Sequence, residues 1–375
     1  MKIAFVMPGV GIFGRGAEAF VVELCAALHE RHGFDVTLYC RGDAPVPHRR
    51  IRALPRDARW VNAVYSATRL GRKVFDTFFL DPLSLEWYTA ALSALPSLWR
   101  GGYDAVVMEG GLAGAWCCRL LRRFRGVPFV DIAHGQDPKW EGAFARQRPD
   151  RVVAFTEAAR RMILEQAPRA AVTVIPHGID LGLFRPDVRP EPLDLQRPII
   201  LCAGAVDAHK RMDLAVEAVA RLDGSNRGSL MILGEGPEAA AVDRLGAERL
   251  GPGRYLRRSV PRAEMAGWYA AADCFTLPSR TESFGLTYLE AMACGVPSVA
   301  PDDPVRREVI GEAGICCDVT DPEAYTGALA AALTRDWGEI PRRRAERFPI
   351  AATIDRYAEL LRQLPRVQVK EQPTR

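Results

Sequence analysis

Two series of short apolar strands that alternate with amphipathic helices constrain the fold of this chain more than any other feature. In the first, KIAFVM at 2–7 is followed by a helical pattern at 17–31 and then by FDVTLYC at 34–40. In the second, IILCAGAV begins at 199 and SLMILGEG at 229, with the helical pattern MDLAVEAVARL between them. Strands that alternate with helices are typical of parallel sheets built from βαβ units. The sequence therefore predicts two doubly wound α/β domains.

The alternation breaks between Pro176 and Pro198, in a segment rich in proline and charge that we interpret as the crossover between the domains. A last amphipathic helix is predicted near the C-terminus, because Ile354, Tyr357 and Leu361 have helical spacing. We expect this helix to return toward the N-terminal domain and the residues after it to fray. The predicted limits are 1–176 for the N-terminal domain, 177–349 for the C-terminal domain, 350–365 for the last helix and 366–375 for the tail.

Composition argues against several classes of protein and favours one cellular compartment. A net charge of +4 on 375 residues does not favour a nucleic-acid partner, and we interpret the arginines at 119, 122, 123 and 125 as a solvated helix face rather than as a contact with an anionic surface. The nine cysteines are scattered and never have C-x-x-C spacing, which favours reduced thiols in the cytoplasm over a zinc site or disulfides. No window approaches ~18 uninterrupted apolar residues, so we expect no membrane span.

A glycine-rich loop follows the first strand, where Gly9, Gly11 and Gly14 spell G-x-G-x-x-G. A dinucleotide site would also need an acidic residue at the end of the second strand, but that strand ends at Cys40 and Arg41. Because Arg41 could meet a 2′-phosphate, an NADP-dependent oxidoreductase stays an alternative. In general terms, the loop offers backbone N–H groups to an anion.

The stretch RTESFGLTYLEAMACGVPSVAP at 280–301 carries two acidic residues with a glycine turn between them. A helix is predicted to begin near Gly285, and Glu290 lies about 7.5 Å along it at ~1.5 Å per residue, which is comparable to the span from a diphosphate to its ribose. The helix N-terminus could therefore hold a diphosphate while Glu290 accepts ribose hydroxyls. The alternative is a helix capped by Thr281 or Ser283 with Glu290 reaching water, and helix patterns alone do not decide between the two.

Here the chain resembles a known family. Glu282 and Glu290, inside PSRTESFGLTYLEAMACGVPSVA, resemble the E-x7-E motif of retaining glycosyltransferases with the GT-B fold, in particular family GT4. Four further segments resemble motifs of that family in the same order along the chain: GRGAEAFVVELCAAL, VTVIPHGID, GAVDAHKRMDLAVEA and MILGEGPE. The resemblance implies a GT-B architecture, with two Rossmann-like domains facing a central cleft, and sugar transfer from a UDP- or GDP-sugar.

The resemblance also implies roles for individual residues. Lys210 would neutralise the leaving diphosphate, Glu282 would position the sugar hydroxyls, and His134 would orient the sugar and the acceptor. The donor would further contact Gly14, Gly16, Val260, Ser283, Phe284, Gly285, Leu286 and Glu290. No metal or cofactor is implied beyond the donor itself. One departure concerns the phosphate clamp, because Ala205 stands where many members carry an arginine; Arg211 or Arg280 could compensate.

The acceptor is expected to be a glycan, a lipid-linked compound or a small molecule, and the enzyme a cytoplasmic one. A peripheral contact with the inner face of the membrane is a further hypothesis, based on the basic and aromatic residues of 69–100, although ordinary packing explains that segment at least as well. A second alternative is a non-catalytic nucleotide-sugar-binding protein of the same fold. The presence of Glu282, Glu290 and His134 argues against it.

Overall fold

The structure, a computed structural model, describes residues 1–12, 16–66, 80–109, 111–135 and 137–365. Its internal contacts divide the chain into two compact units. Unit 1 comprises residues 1–155, 159–175 and the chain from Ile354, and unit 2 comprises residues 156–158 and 176–353. Each unit is built around one parallel β-sheet, which confirms the predicted pair of α/β domains.

Unit 1 contains a sheet of seven described strands in the order β3-β2-β1-β4-β5-β6-β7. Its register places Ile3 opposite both Val36 and Ala105. Because the strand order reverses between β1 and β4, the loops that follow these strands lie at a topological switch point, where ligands of such sheets bind. The strands are β1 (Lys2–Val6), β2 (Asp35–Cys40), β3 (His48–Arg50), β4 (Ala105–Met108), β5 (Phe129–Ile132), β6 (Arg151–Ala154) and β7 (Val172–Val174).

Unit 2 contains a sheet of six described strands in the order β10-β9-β8-β11-β12-β13. Its order reverses between β8 and β11, so the loops after these two strands share the second switch point. The strands are β8 (Ile199–Ala203), β9 (Ser229–Leu233), β10 (Tyr255–Arg258), β11 (Cys274–Thr276), β12 (Ser298–Pro301) and β13 (Gly314–Cys317).

Helices connect the strands in both sheets. In the first half of the chain these are α1 (Gly16–His32), α2 (Arg59–Ser66), α3 (Pro82–Arg100), α4 (Leu112–Arg125), α5 (Pro138–Ala145) and α6 (Glu157–Gln166). In the second half they are α7 (Met212–Ala220), α8 (Ala239–Arg249), α9 (Met265–Ala270), α10 (Leu286–Ala293), α11 (Pro304–Ile310), α12 (Pro322–Thr334), α13 (Ile340–Ala345) and α14 (Ile350–Arg362), with 3-10 turns at Gly224–Asn226, Arg262–Glu264 and Gly311–Ala313. Among the helices of the described residues, none combines the length and the apolar character that crossing a bilayer requires.

Burial explains why the central strands are mostly apolar and do not alternate between polar and apolar residues. Every residue of β8 and β9 is buried, as is every residue of β4 and β5. A parallel sheet covered by helices on both faces has no solvent side, so its strands do not alternate between polar and apolar residues. In α14, Ile354, Tyr357 and Leu361 are buried, and the Tyr357 ring lies 5.9 Å from the ring of Phe20 in α1. Because the strand residues are buried, side chains that bind a ligand are expected in the loops at the carboxyl ends of the strands.

Candidate functional site

Lys210 and Glu282 meet at the switch point of unit 2. Lys210 lies in the loop after β8 and Glu282 in the loop after β11, and these two strands are neighbours in the sheet. Nζ of Lys210 is 2.5 Å from Oε1 of Glu282, and the two side chains are only 20% and 14% exposed. Two of the predicted site residues, 72 positions apart in sequence, thus form a mostly buried ion pair.

Further hydrogen bonds fix the two loops against each other. The N–H of Arg280 donates to the carbonyl of His209 over 2.9 Å, and Nε2 of His209 lies 3.0 Å from the carbonyl oxygen of Thr281. Oδ1 of Asp207 accepts from the backbone N–H groups of His209 and Lys210, each at 3.0 Å, in the manner of an Asx turn. These hydrogen bonds position the backbone on both sides of the Lys210–Glu282 pair.

Arg211 is used within the protein. Its Nε donates to the carbonyl of Pro278 over 2.8 Å, and it adopts a left-handed backbone with φ of 51° at the start of α7. Burial and the neighbouring Arg280 and Arg306 lower the pKa of its guanidinium. Arg280, the other expected substitute for an arginine at position 205, is exposed.

The turn between Glu282 and Glu290 ends in a glycine that starts α10. Gly285 is the N-cap residue, with φ of 90° and ψ of 60°, a left-handed conformation that glycine adopts at little cost. A cap by Thr281 or Ser283 is therefore wrong, and Gly285 has no side chain with which to cap the first N–H groups. Phe284 is buried and packs its ring 5.5 Å from that of His177, the crossover histidine. Packing thus holds the turn, and the helix N-terminus favours an anion.

Glu290 is buried, so the alternative in which its carboxylate reaches water is wrong. The Tyr269 hydroxyl donates to Oε2 over 2.8 Å, and a guanidinium nitrogen of Arg262 lies 3.5 Å from Oε1. Burial and the Glu290 carboxylate raise the pKa of Tyr269 well above its usual value, so this hydroxyl stays protonated as a donor. Neither Tyr269 nor Arg262 was identified by the sequence analysis. Val260, predicted to contact the donor, follows β10 and is half-buried.

A second group of predicted residues lies in unit 1. His134 follows β5 and bonds through Nε2 to the carboxylate of Glu109, which follows β4 at the switch point. Burial opposes protonation of His134, but the carboxylates around it, chiefly that of Glu109, together outweigh burial and raise the pKa of the imidazole. The His134 ring also packs 5.2 Å from the ring of Phe155. The geometry therefore presents an oriented, protonation-prone imidazole, and Glu109 is a residue that the sequence analysis missed.

Two more buried carboxylates act on this histidine. Glu18 in α1 and Glu141 in α5 both favour its charged form. Oε1 of Glu141 accepts a 2.8 Å hydrogen bond from the backbone N–H of Gly135, and burial raises the pKa of Glu141 to about 7. The carboxylates of Glu109 and Glu18 thus favour a positive charge on His134 itself.

The first two glycines of the opening motif serve close packing. A Cβ on Gly9 would lie 2.4 Å from Oε1 of Glu18. Gly11 has φ of 76°, and a Cβ there would lie 2.5 Å from the carbonyl oxygen of Asp43. Arg41, which the NADP alternative requires, forms an ion pair with the fully buried Glu86. Gly14 lies outside the described residues, whereas Gly16 is the exposed first residue of α1.

The predicted residues thus form two groups. Gly16 and His134 lie in unit 1, and Lys210, Val260, the turn at 282–286 and Glu290 lie in unit 2. Within the part of the chain that the structure describes, no group of three or more His, Cys, Asp or Glu side chains is arranged to hold a metal ion. The unit 2 group combines a cation, a helix N-terminus and two carboxylates, which suits a ligand with a diphosphate and hydroxyl groups.

Comparisons with known proteins agree with this chemistry. Residues 14–183 match the family model described as Glycosyltransferase Family 4, and residues 197–335 match the model described as Glycosyl transferases group 1. The D-inositol 3-phosphate glycosyltransferase 1 of Catenulispora acidiphila is 31% identical over 363 residues, which cover 87% of this chain and 84% of that protein. The GDP-mannose-dependent alpha-(1-6)-phosphatidylinositol monomannoside mannosyltransferase of Mycolicibacterium smegmatis is 29% identical, covering 64% of this chain and 67% of that protein.

The fold is also shared with a solved structure. A sucrose-phosphate synthase from Thermosynechococcus elongatus aligns with a TM-score of 0.77 over 97% of this chain and 99% of that one, at 20% identity. At that identity the similarity shows the fold alone, and it confirms the predicted GT-B class.

Proposed function

The chain belongs to glycosyltransferase family 4, and from this premise we propose that it transfers a hexosyl residue, with retention of configuration, from a nucleoside diphosphate sugar to an acceptor hydroxyl. The observation that carries the proposal is the Lys210–Glu282 pair beside the N-terminus of α10. This arrangement offers one positive group and one helix terminus to a diphosphate, and one carboxylate to sugar hydroxyls.

Lys210 and α10 act on the leaving group. As the bond between the anomeric carbon and the diphosphate oxygen breaks, negative charge grows on the diphosphate, and the Lys210 ammonium and the N–H groups that follow Gly285 stabilise it. Ser283, Phe284 and Leu286 place that terminus. The acceptor oxygen bonds to the anomeric carbon and releases its proton to the departing diphosphate, so that no protein base is required.

Glu282 and Glu290 hold the sugar and the ribose. Donor binding draws the Lys210 ammonium toward the phosphates and leaves the Glu282 carboxylate to accept hydrogen bonds from sugar hydroxyls. Glu290, oriented by Tyr269 and Arg262, accepts from the ribose, and backbone near Val260 contacts the base. Gly14 and Gly16 allow the chain to approach the donor closely.

His134 orients the sugar and the acceptor. Its Nε2 is held by Glu109, which fixes the ring and favours the imidazolium, a hydrogen-bond donor to hydroxyl oxygens.

The donor is a UDP- or GDP-sugar, no metal takes part, and the acceptor is a glycan, a lipid-linked compound or a small molecule. The name of the Mycolicibacterium relative specifies GDP-mannose and a phosphatidylinositol monomannoside, and that of the Catenulispora relative specifies inositol 3-phosphate. These names support a polyol or glycan hydroxyl as the acceptor. The enzyme we propose is cytoplasmic and, for a lipid-linked acceptor, contacts the membrane peripherally.

A transfer assay tests the proposal. The full chain is incubated with UDP- and GDP-hexoses and a panel of polyol, glycan and lipid-linked acceptors, with and without EDTA, and the configuration of the new linkage is read by NMR. We expect turnover with one donor, retained configuration and no effect of EDTA. Inversion or loss of activity in EDTA would contradict the mechanism, and tight nucleotide binding without turnover would favour the non-catalytic alternative.

A further inference from the structure

Helices α3 and α4 of unit 1 present an apolar face to solvent. The side chains of Leu92, Trp116, Leu120 and Phe124 are 62%, 50%, 45% and 56% exposed. The helices pack closely because small residues, among them Ala91 and Cys117, fill their contact. We refer to these four side chains as the α3–α4 face.

Aromatic contacts continue this face across both helices. Tyr88 stacks on Trp116 with ring centroids 6.4 Å apart, and Trp99 lies 6.2 Å from Phe124. On α4, positions 116, 120 and 124 are four residues apart and therefore form one continuous stripe. The buried side of the same helix carries other residues, including Cys118 and Leu121, so this stripe is not part of the core.

Arginines border the stripe. Arg119 and Arg123 are exposed and form the neighbouring row of α4, and Arg100 and Arg125 end the two helices. Arg122 is neutralised by an ion pair of 2.9 Å with Asp150. The only acidic residue in the two helices, Glu86, is fully buried. The apolar stripe therefore lies in a positive rim without an exposed carboxylate from α3 or α4.

A shallow depression opens within this rim. It is lined by Trp116, Arg119, Leu120, Arg122, Arg123, Gln147 and Arg148. Gln147 bridges two of them, because its Oε1 accepts from Nε1 of Trp116 over 3.2 Å and from Arg119 over 2.9 Å. The depression combines indole and guanidinium groups, which suits an anionic headgroup lying above hydrocarbon.

We propose that the α3–α4 face docks on a bilayer of anionic phospholipids. Insertion of Trp116, Leu120 and Phe124 to the level of the acyl chains removes apolar surface from water, while the arginines meet lipid phosphates. A second copy of the chain is disfavoured, because a self-complementary contact would bring the arginine rows together. The purpose of this contact rests on the proposed function, because the α3–α4 face is then the surface through which the enzyme reaches a lipid-linked acceptor.

The location differs from the one suggested by the sequence. Of the segment 69–100, residues 69–79 lie outside the described residues, and the remainder contributes α3 with Leu92 and Trp99. The arginines of α4, which the sequence analysis interpreted as an ordinary solvated face, border the exposed aromatic stripe. The stripe and its charge together indicate a membrane contact, whereas arginines alone indicate only an exposed helix.

Vesicle binding tests the inference with the full chain. Co-sedimentation is measured with phosphatidylcholine vesicles and with vesicles containing 30% phosphatidylglycerol, for the wild type, Arg119→Gln/Arg123→Gln and Leu120→Ser. The control for the arginine variant is Arg161→Gln/Arg169→Gln, in which Arg161 lies in α6 and Arg169 follows it, both exposed. The control for the leucine variant is Leu183→Ser, at an exposed leucine of unit 2. Circular dichroism verifies that each variant is folded.

We expect binding to the phosphatidylglycerol vesicles only, weakened by salt, and a loss of roughly 25-fold in the double arginine variant. Leu120→Ser should bind several-fold more weakly, and both controls should bind like the wild type. Equal binding by wild type and α4 variants, absence of binding, or tighter binding to a single-stranded oligonucleotide at the same salt would overturn the inference. Transfer of sugar to a water-soluble acceptor is assayed in parallel. If the wild type shows no transfer but still binds the vesicles, the proposed function is refuted while the membrane contact stands.

Discussion

The ammonium of Lys210 lies 2.5 Å from the carboxylate of Glu282, and the two side chains neutralise each other at the end of neighbouring strands. In the proposed mechanism a diphosphate competes with Glu282 for Lys210, and the released carboxylate becomes available to hydroxyl groups. We therefore propose that the ion pair couples recognition of the phosphates to recognition of the sugar.

Replacement of Lys210 tests whether its ammonium takes part in recognition of the phosphates. Lys210→Gln should lower kcat/KM by ~10²- to 10³-fold, because a charge aimed at the leaving group is lost. Lys139→Gln, at an exposed lysine in α5, is the control and should leave the rate unchanged. Steady-state kinetics with the donor varied measure both. Unaltered kcat/KM in Lys210→Gln would remove Lys210 from the mechanism.

Replacement of Glu282 tests whether its carboxylate takes part in recognition of the sugar. Glu282→Gln should lower kcat, and the effects of Lys210→Gln and Glu282→Gln should fail to add in the double variant, because the two side chains form one unit. The double-mutant cycle is measured on kcat/KM. Strict additivity would mean that the pair acts only in holding the loops.

The bond from Tyr269 to Glu290 should matter for nucleotide affinity. Tyr269→Phe removes the hydroxyl that donates to the buried Glu290 carboxylate, which should cost about 1–3 kcal/mol of stability and weaken nucleoside diphosphate binding. Tyr325→Phe is the matched control, since its hydroxyl is buried and lies 2.7 Å from Thr276. Urea unfolding and calorimetric titration compare them. Equal nucleotide affinity in the two variants would deny Glu290 a place in the site.

Glu109 should set the pH dependence through His134. If the imidazolium is the active form, activity falls as pH rises through the raised pKa of His134. Glu109→Gln removes the carboxylate that raises this pKa, so the alkaline limb of the kcat/KM profile should move to lower pH. Glu30→Gln, at an exposed position near the end of α1, should leave the limb in place. An unmoved limb in Glu109→Gln would contradict the assignment.

Glu141 should make the free energy of unfolding depend on pH in the opposite direction from an ordinary ion-paired carboxylate. Burial raises its pKa to about 7 in the folded chain, so the folded state binds a proton more strongly than the unfolded state. Its contribution favours folding at low pH and is lost as pH rises toward 7, by up to about 3 kcal/mol. Glu141→Gln should flatten the dependence of unfolding free energy on pH between about 4.5 and 7. An unchanged slope would refute the raised pKa.

Much of this arrangement follows from the sequence. The alternation of apolar strands and helices predicted both sheets, and the resemblance to family GT4 predicted that Lys210, Glu282 and Glu290 belong to the donor site. The strand order explains why residues 210 and 282 meet, because β8 and β11 are neighbours and their loops share the switch point.

Other features depend on packing that spacing does not encode. Tyr269 and Arg262 reach Glu290 from a different helix and a 3-10 turn, and Glu109 reaches His134 from the adjacent strand end. In α4 an apolar row at 116, 120 and 124 has the period of a core face, yet Cys117 and Leu121 are the residues that are buried. Only tertiary contacts distinguish the two rows.

Calorimetric titration of the full chain with UDP, GDP and NADP, repeated on Lys210→Gln, measures whether Lys210 binds a nucleoside diphosphate. We expect one nucleoside diphosphate to bind the wild type, Lys210→Gln to bind it at least ~10-fold more weakly, a loss of ~1.4 kcal/mol, and NADP not to bind. Binding of NADP alone, or nucleoside diphosphate binding that is indifferent to Lys210, would contradict this expectation.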